Sequence, residues 1–303
     1  MRWEDARRSE NIEDRRGEYG GGDENYGGGG PMIGGAGGLG IGTMLILGVI
    51  AYALGIDPRI VIGGAQMFNT HGGQMVERAP APERRAGAPS DQMGQFVAAI
   101  VGQNEDVWSE ILPAQKGIKF QPPRLVMFDG QTQSACGQAQ AAMGPFYCPI
   151  DRKIYLDTSF FNDMKRKLGG GGEFAYAYVI SHEMGHHIEN LLGVLPKVQR
   201  AQQQATSQAQ ANALSVRVEL MADCLSGVWA ANSQKKWRNL DQADIEQAMR
   251  TAQAIGDDRL QKSSRGFAVP DSFTHGSSAQ RVEWFSKGLK SGEIDSCNTF
   301  AKT

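Results

Sequence analysis

The chain is poor in the residues that usually mark a metal site. It has only five histidines and four cysteines in 303 residues, and no two cysteines form a C-x-x-C pair. A cysteine-based zinc site is therefore excluded. Formal net charge is −2, so no excess of positive charge points to nucleic acid as a partner. There is no internal repeat, which excludes a solenoid. Charge is also missing from one long stretch: Met32 to Ile56 holds no Asp, Glu, Lys or Arg. A run of that length predicts a transmembrane helix. A signal peptide fits less well, because a charged arm precedes the run and no small-x-small cleavage site closes it.

The remainder divides around that run. Residues 1–31 are polar and glycine-rich, with five Arg and eight acids before residue 31, and are expected to form a disordered arm. Residues 57–90 carry Pro58, Pro80, Pro82 and Pro89 and read as a flexible linker. The folded domain is expected over 91–303. Arg15 and Arg16 before the run, against Arg59 after it, favour an N-terminus inside and a catalytic domain outside. An even cysteine count suits that extracytoplasmic setting, periplasmic at a bacterial inner membrane, with two disulfides among Cys136, Cys148, Cys224 and Cys297. Of the three possible pairings, Cys136–Cys148 would close a short loop and Cys224–Cys297 would tie the tail to the body.

Within 91–303, Phe96, Val97, Ile100, Val101, Val107, Trp108 and Ile111 recur at helical spacing and read as core. Leu125 to Phe128 is strand-like. Phe146–Ile150 and Lys153–Asp157 read as a hairpin turning at 150–152. After residue 195 the pattern is helical, over 198–231, 241–255 with Asp241 or Asp244 as its cap, and 277–289.

Three of the five histidines fall together. His182-Glu183-Met184-Gly185-His186 reads H-E-x-x-H inside a helical run. Residues four apart share a helix face, so both imidazoles can meet one metal ion. Glu183 lies beside it, where it can take a proton from water activated there. A catalytic zinc needs a third protein ligand. Glu189 and Leu192 stand where a metzincin would have glycine and histidine, so that arrangement is excluded. Glu219 and Asp223, four apart on a later helix, fit as third ligand and as acceptor for a ligand histidine's outer nitrogen. Glu189 continues up the same helix away from the metal and is not expected to ligate. His275, in Phe273-Thr-His-Gly-Ser277, is a candidate donor to the developing oxyanion, with Tyr147 and Tyr155 as weaker ones. His187 points away from His186 and is expected to be structural. His71 falls in the linker.

Cys136-Gly, Gly144-Pro-Phe-Tyr-Cys-Pro149, Ile154-Tyr-Leu-Asp157, Val179-Ile-Ser-His-Glu-Met-Gly-His-His187, Glu219-Leu-Met-Ala-Asp-Cys224, Gly227-Val-Trp229 and Phe273-Thr-His-Gly276 together resemble the bacterial neutral zinc metallopeptidase family. The resemblance covers almost the whole chain. It implies a zincin-like fold with His182, His186 and Glu219 as zinc ligands and Glu183 as base, and supplies no substrate.

The expectation is an α+β domain behind one transmembrane helix. A small, mostly antiparallel sheet lies beside the active-site helix, and a helical C-terminal lobe supplies Glu219. The expected function is zinc-dependent hydrolysis of a peptide or protein substrate, an extended peptide pairing with the sheet edge. The alternative is a membrane-anchored zinc module without turnover, which would have no need of Glu183.

Overall fold

The computed structural model describes residues 1–17, 85–86, 89–140, 143–167 and 172–301. The apolar stretch 32–56, His71 and most of the expected linker lie outside the described residues. Among the described residues no helix is long and apolar enough to cross a membrane.

Among the described residues, seven strands and eight α-helices follow in chain order. They are β1 (Ile12–Asp14), β2 (Arg85–Ala86), α1 (Gln92–Lys116), β3 (Arg124–Phe128), β4 (Gln131–Ser134), β5 (Gly137–Gln140), β6 (Phe146–Cys148), β7 (Lys153–Asp157), α2 (Ser159–Lys167), α3 (Glu173–Leu191), α4 (Val194–Gln203), α5 (Gln208–Trp237), α6 (Gln242–Ala254), α7 (Asp257–Arg265) and α8 (Ser278–Ser291). Strands β2-β1-β3-β7-β6 form one sheet, and β4-β5 form a separate hairpin. The fold is mixed α+β and mostly helical.

The sheet differs from the mostly antiparallel one expected. Its two central pairings, β1 with β3 and β3 with β7, are parallel, and only the outer pairs are antiparallel. The β6–β7 hairpin forms as expected, with Arg152 at φ 56° in its turn. Its antiparallel pattern is local. The β3–β7 pairing instead spans the whole β4–β5–β6 segment, and no periodicity within one strand reports which way a distant strand runs.

The N-terminal arm also differs from expectation. Residues 1–17 are built into the domain: Trp3 and Ile12 are buried in the main core. Trp3 meets Phe96 edge-on at 5.4 Å, and its indole N–H donates to Glu173 at 3.0 Å. Several of the charges that suggested solvent are paired. Arg15 binds Glu13 and donates to Thr132 Oγ1 and the Gln133 carbonyl, Arg7 binds Glu105 and Asp106, and Lys153 reaches Glu13.

Two disulfides form, Cys136–Cys148 and Cys224–Cys297. They close separations of 12 and 73 residues. On a chain-entropy argument those loops contribute about 3 and about 4.5 kcal/mol. The first fastens the β4–β5 hairpin to β6. The second ties the C-terminal turn to α5.

The helical lobe centres on α5, which packs against α3 and α8. Close approach is built in through glycine. A Cβ at Gly288 would lie 1.9 Å from the Cys224 carbonyl, and one at Gly185 would lie 3.0 Å from the Ala222 carbonyl. The second contact brings the helix of the histidines against the helix of Glu219. The expected helix over 198–231 is broken at 204–207, where Ser207 caps α5 by accepting from Gln210 N at 3.2 Å. Asp241 and Asp244 form a full capping box at the start of α6.

Candidate metal centre

α3 enters the core with His182, Glu183 and His186 on the turns facing α5. The side chains of His182, His186 and Glu219 converge, and one ligand atom from each lies within 4.8 Å of the others. The two imidazole rings stand 4.8 Å apart at 85°. Glu219 Oε2 lies 3.1 Å from His182 Nε2, and its Oε1 lies 3.6 Å from His186 Nε2. Both Nε2 atoms therefore point at one carboxylate across one small space. Glu183 is buried on the same helix, and among the described residues nothing donates to its carboxylate.

The outer nitrogens are fixed as a metal site requires. His182 Nδ1 donates to Asp223 Oδ1 at 2.9 Å, and His186 Nδ1 donates to Glu189 Oε2 at 2.8 Å. A carboxylate on Nδ1 sets the tautomer that leaves Nε2 free to ligate. Asp223 is held in turn. It accepts from Tyr178 Oη at 2.5 Å, and from Arg281 Nε and Nη2 at 2.8 and 2.9 Å. Asp223 is thus the buried hub joining α3, α5 and α8.

The protonation balance fits a cation in this space. Burial opposes charge on His182, yet Asp223 and Glu219 together push its pKa up to about 10. Burial likewise opposes charge on His186, and Glu219 and Glu189 raise it. Burial would raise Glu219, but His186, His275 and His182 hold it well below the usual carboxylate range. Burial pushes Glu189 up to about 7. Two neutral imidazoles and a carboxylate are a donor set suited to zinc, and three protein ligands leave a position open. The residues present fit the ion.

His275 joins the site from the loop before α8. It is buried, and its charge acts on Glu219. Its loop is shaped by Asp257, whose Oδ2 accepts the backbone N–H groups of Thr274, His275 and Gly276 at 2.7, 2.6 and 3.1 Å. Asp257 Oδ1 lies 3.3 Å from His275 Nδ1, which leaves the other ring nitrogen for the site.

The two tyrosines are engaged elsewhere. Tyr147 Oη accepts from Asn190 at 3.0 Å and meets His187 Nδ1 at 3.0 Å. Tyr155 Oη donates to Asp151 at 2.7 Å, and its ring stacks on Phe146. His187 is structural, as expected: its Nε2 donates to the Gln121 carbonyl at 2.6 Å, and burial lowers its pKa to about 4.

Four residues of this arrangement go beyond the sequence reading. Glu189 is considered above only as a ligand, although its place three residues after His186 puts it beside that ring. Tyr178 lies four residues before His182, a signal of the same kind. Asp257 and Arg281 carry no local signal, because each reaches its partner across a long stretch of chain.

Comparison with known proteins agrees with this geometry. A family model described as "putative neutral zinc metallopeptidase" matches residues 1–300. The chain is 45% identical over 303 residues to the uncharacterized protein YpfJ of Escherichia coli K12, covering all of both chains. It is 38% identical over 262 residues to the uncharacterized protein Rv2575 of Mycobacterium tuberculosis, covering 83% of this chain and 85% of the relative. No solved structure matches. With a family model that covers nearly every residue, the chain belongs to the family described as "putative neutral zinc metallopeptidase".

Proposed function

We propose that the chain is a zinc-dependent peptidase of zincin-like design that hydrolyses peptide bonds in a peptide or protein substrate. One observation carries the reading: Glu183 is buried beside three convergent ligands and is not one of them. When bound, zinc supplies a Lewis acid that polarises a carbonyl and makes water nucleophilic at neutral pH. His182, His186 and Glu219 would hold it. Asp223 and Glu189 keep the Nδ1 protons of the two imidazoles in place.

Glu183 takes the proton of the attacking water and returns it to the leaving amine. Burial raises its pKa, with the charges of His182 and His186 acting the other way. That raised proton affinity suits a carboxylate that must accept a proton and later release it. His275, oriented by Asp257, donates to the oxyanion that develops on the scissile carbonyl. An extended substrate pairs along β6, an outer strand of the sheet joined to α3 through Tyr147.

Two disulfides support an oxidising, extracytoplasmic compartment for the domain. The uncharged stretch 32–56 supports attachment to a bacterial membrane. The test is cleavage of a mixed peptide library by the full chain, with new termini read by mass spectrometry. Cleavage should vanish on chelation and return with added zinc. Cleavage that persists through complete removal of zinc would contradict the proposal.

A further inference from the structure

Residues 1–17 and the domain that begins at 89 are one folded body. β1 lies in parallel register with β3, Ile12 opposite Leu125 and Asp14 opposite Met127. Leu125 N–H donates to the Asn11 carbonyl, and Arg15 N–H donates to the Met127 carbonyl, each at 2.8 Å. The Ser9 N–H bonds to the Ala98 carbonyl at 2.9 Å, and the Met1 amino group meets Asp244 at 2.7 Å. Trp3 and Ile12 fill the core.

The chain also returns to the place it left. Arg16, two residues after β1, donates to both oxygens of Asp91, at 3.1 and 2.5 Å. Asp91 in turn caps α1 by accepting from Gly94 N at 3.0 Å. β2, paired antiparallel with β1, stands at the same edge. Everything between residues 18 and 88 therefore starts and finishes at one end of one sheet.

A single membrane crossing by 32–56 is incompatible with that arrangement. It would put residues 1–17 and 89–301 on opposite faces of a hydrocarbon layer about 30 Å thick, while a strand must lie about 5 Å from its partner. A second crossing has no candidate, because no other stretch between 18 and 88 combines the length and apolarity of 32–56. The arginines that argued for an inside N-terminus lose that meaning too. Arg15 is bound to Glu13, and Arg16 to Asp14 and Asp91. Paired within the domain, they are not free to report orientation.

We propose that residues 1–17 and 89–301, being one folded body, lie on the same side of the membrane. The inference stands apart from the peptidase reading, since it holds whether or not the site turns over substrate.

The test uses the full chain in sealed membrane vesicles of known orientation. All four native cysteines are in disulfides, so an added thiol stands alone. One variant carries Asp5→Cys and another Glu283→Cys, both at exposed positions. Each is exposed to a membrane-impermeant maleimide before and after lysis. The two positions should label alike, both before lysis in one vesicle orientation and both only after lysis in the other. Labelling of one position without the other would overturn the proposal. In parallel, the wild-type chain should sediment with membranes, and deletion of 32–56 should release it with both disulfides retained. A soluble wild-type chain, or a deletion variant that still sediments in folded form, would overturn membrane attachment through 32–56.

Discussion

Replacing Glu183 with glutamine is expected to reduce peptide hydrolysis by about 10²–10⁴-fold, the usual contribution of a general base. Zinc content should stay at the wild-type level. The expectation follows from the division of labour on α3. His182 and His186 converge with Glu219 on one point, and Glu183 is outside that set. Glutamine keeps the size and shape of the side chain but cannot take the proton. The loss should therefore appear in kcat, with little change in KM, because the substrate's binding contacts are untouched. Steady-state kinetics beside metal analysis on the same samples checks it. Equal turnover by wild type and Glu183→Gln would remove Glu183 as base. Absence of turnover in both, with zinc present, would favour a zinc module without catalysis.

The second large effect lies away from the reacting atoms. Arg281→Met is expected to cost about 3–5 kcal/mol of stability, because it leaves a buried carboxylate without its counter-charge. Arg281 and Asp223 are both almost wholly buried and joined by two hydrogen bonds. Burial opposes charge on Asp223, and Arg281 and His182 hold its pKa down to about 2, so the acid stays ionised in the core. With the guanidinium gone, His182 and Tyr178 are the donors left to it among the described residues. Asp223 is also what fixes His182, so zinc affinity should fall by about 10–100-fold, as for other carboxylates that orient a ligand.

Denaturant unfolding of the zinc-free chain isolates the first effect, as a lower midpoint at unchanged slope. Competition with a chelator of known affinity measures the second. Adding Asp223→Asn to Arg281→Met should restore part of the stability, since the stranded charge is then removed. It should not restore the affinity. An Arg281→Met chain as stable as wild type would contradict the account of the hub.

Much of this site could be read in the sequence because helices make spacing into geometry. H-E-x-x-H and Glu-x-x-x-Asp each place two side chains on one face, and α3 and α5 then needed only to meet. Cap residues such as Asp241 were readable for the same reason, being local. What the sequence could not convey was long-range. Nothing near Arg281 indicates that it will close on Asp223, and nothing near Asp257 indicates that it will shape the loop of His275.

The N-terminal arm departs from its composition for a different reason. Its Arg and Glu residues suggest solvation, yet Arg15 and Lys153 both pair with Glu13 within the fold, and Trp3 supplies the apolar anchor. Composition reports how many charges a segment has, and not whether each finds a partner. The parallel pairing of β1 with β3 has the same character, because it joins a segment at residue 12 to one at residue 125.

The most direct measurement is the metal content of the purified full chain, beside His182→Ala and Glu219→Ala. Wild type is expected to hold one zinc per chain. Each variant should lose it while keeping both disulfides and a cooperative unfolding transition. A wild-type chain that takes up no zinc, or a Glu219→Ala chain that keeps it with undiminished affinity, would contradict the assignment of His182, His186 and Glu219 as the metal centre.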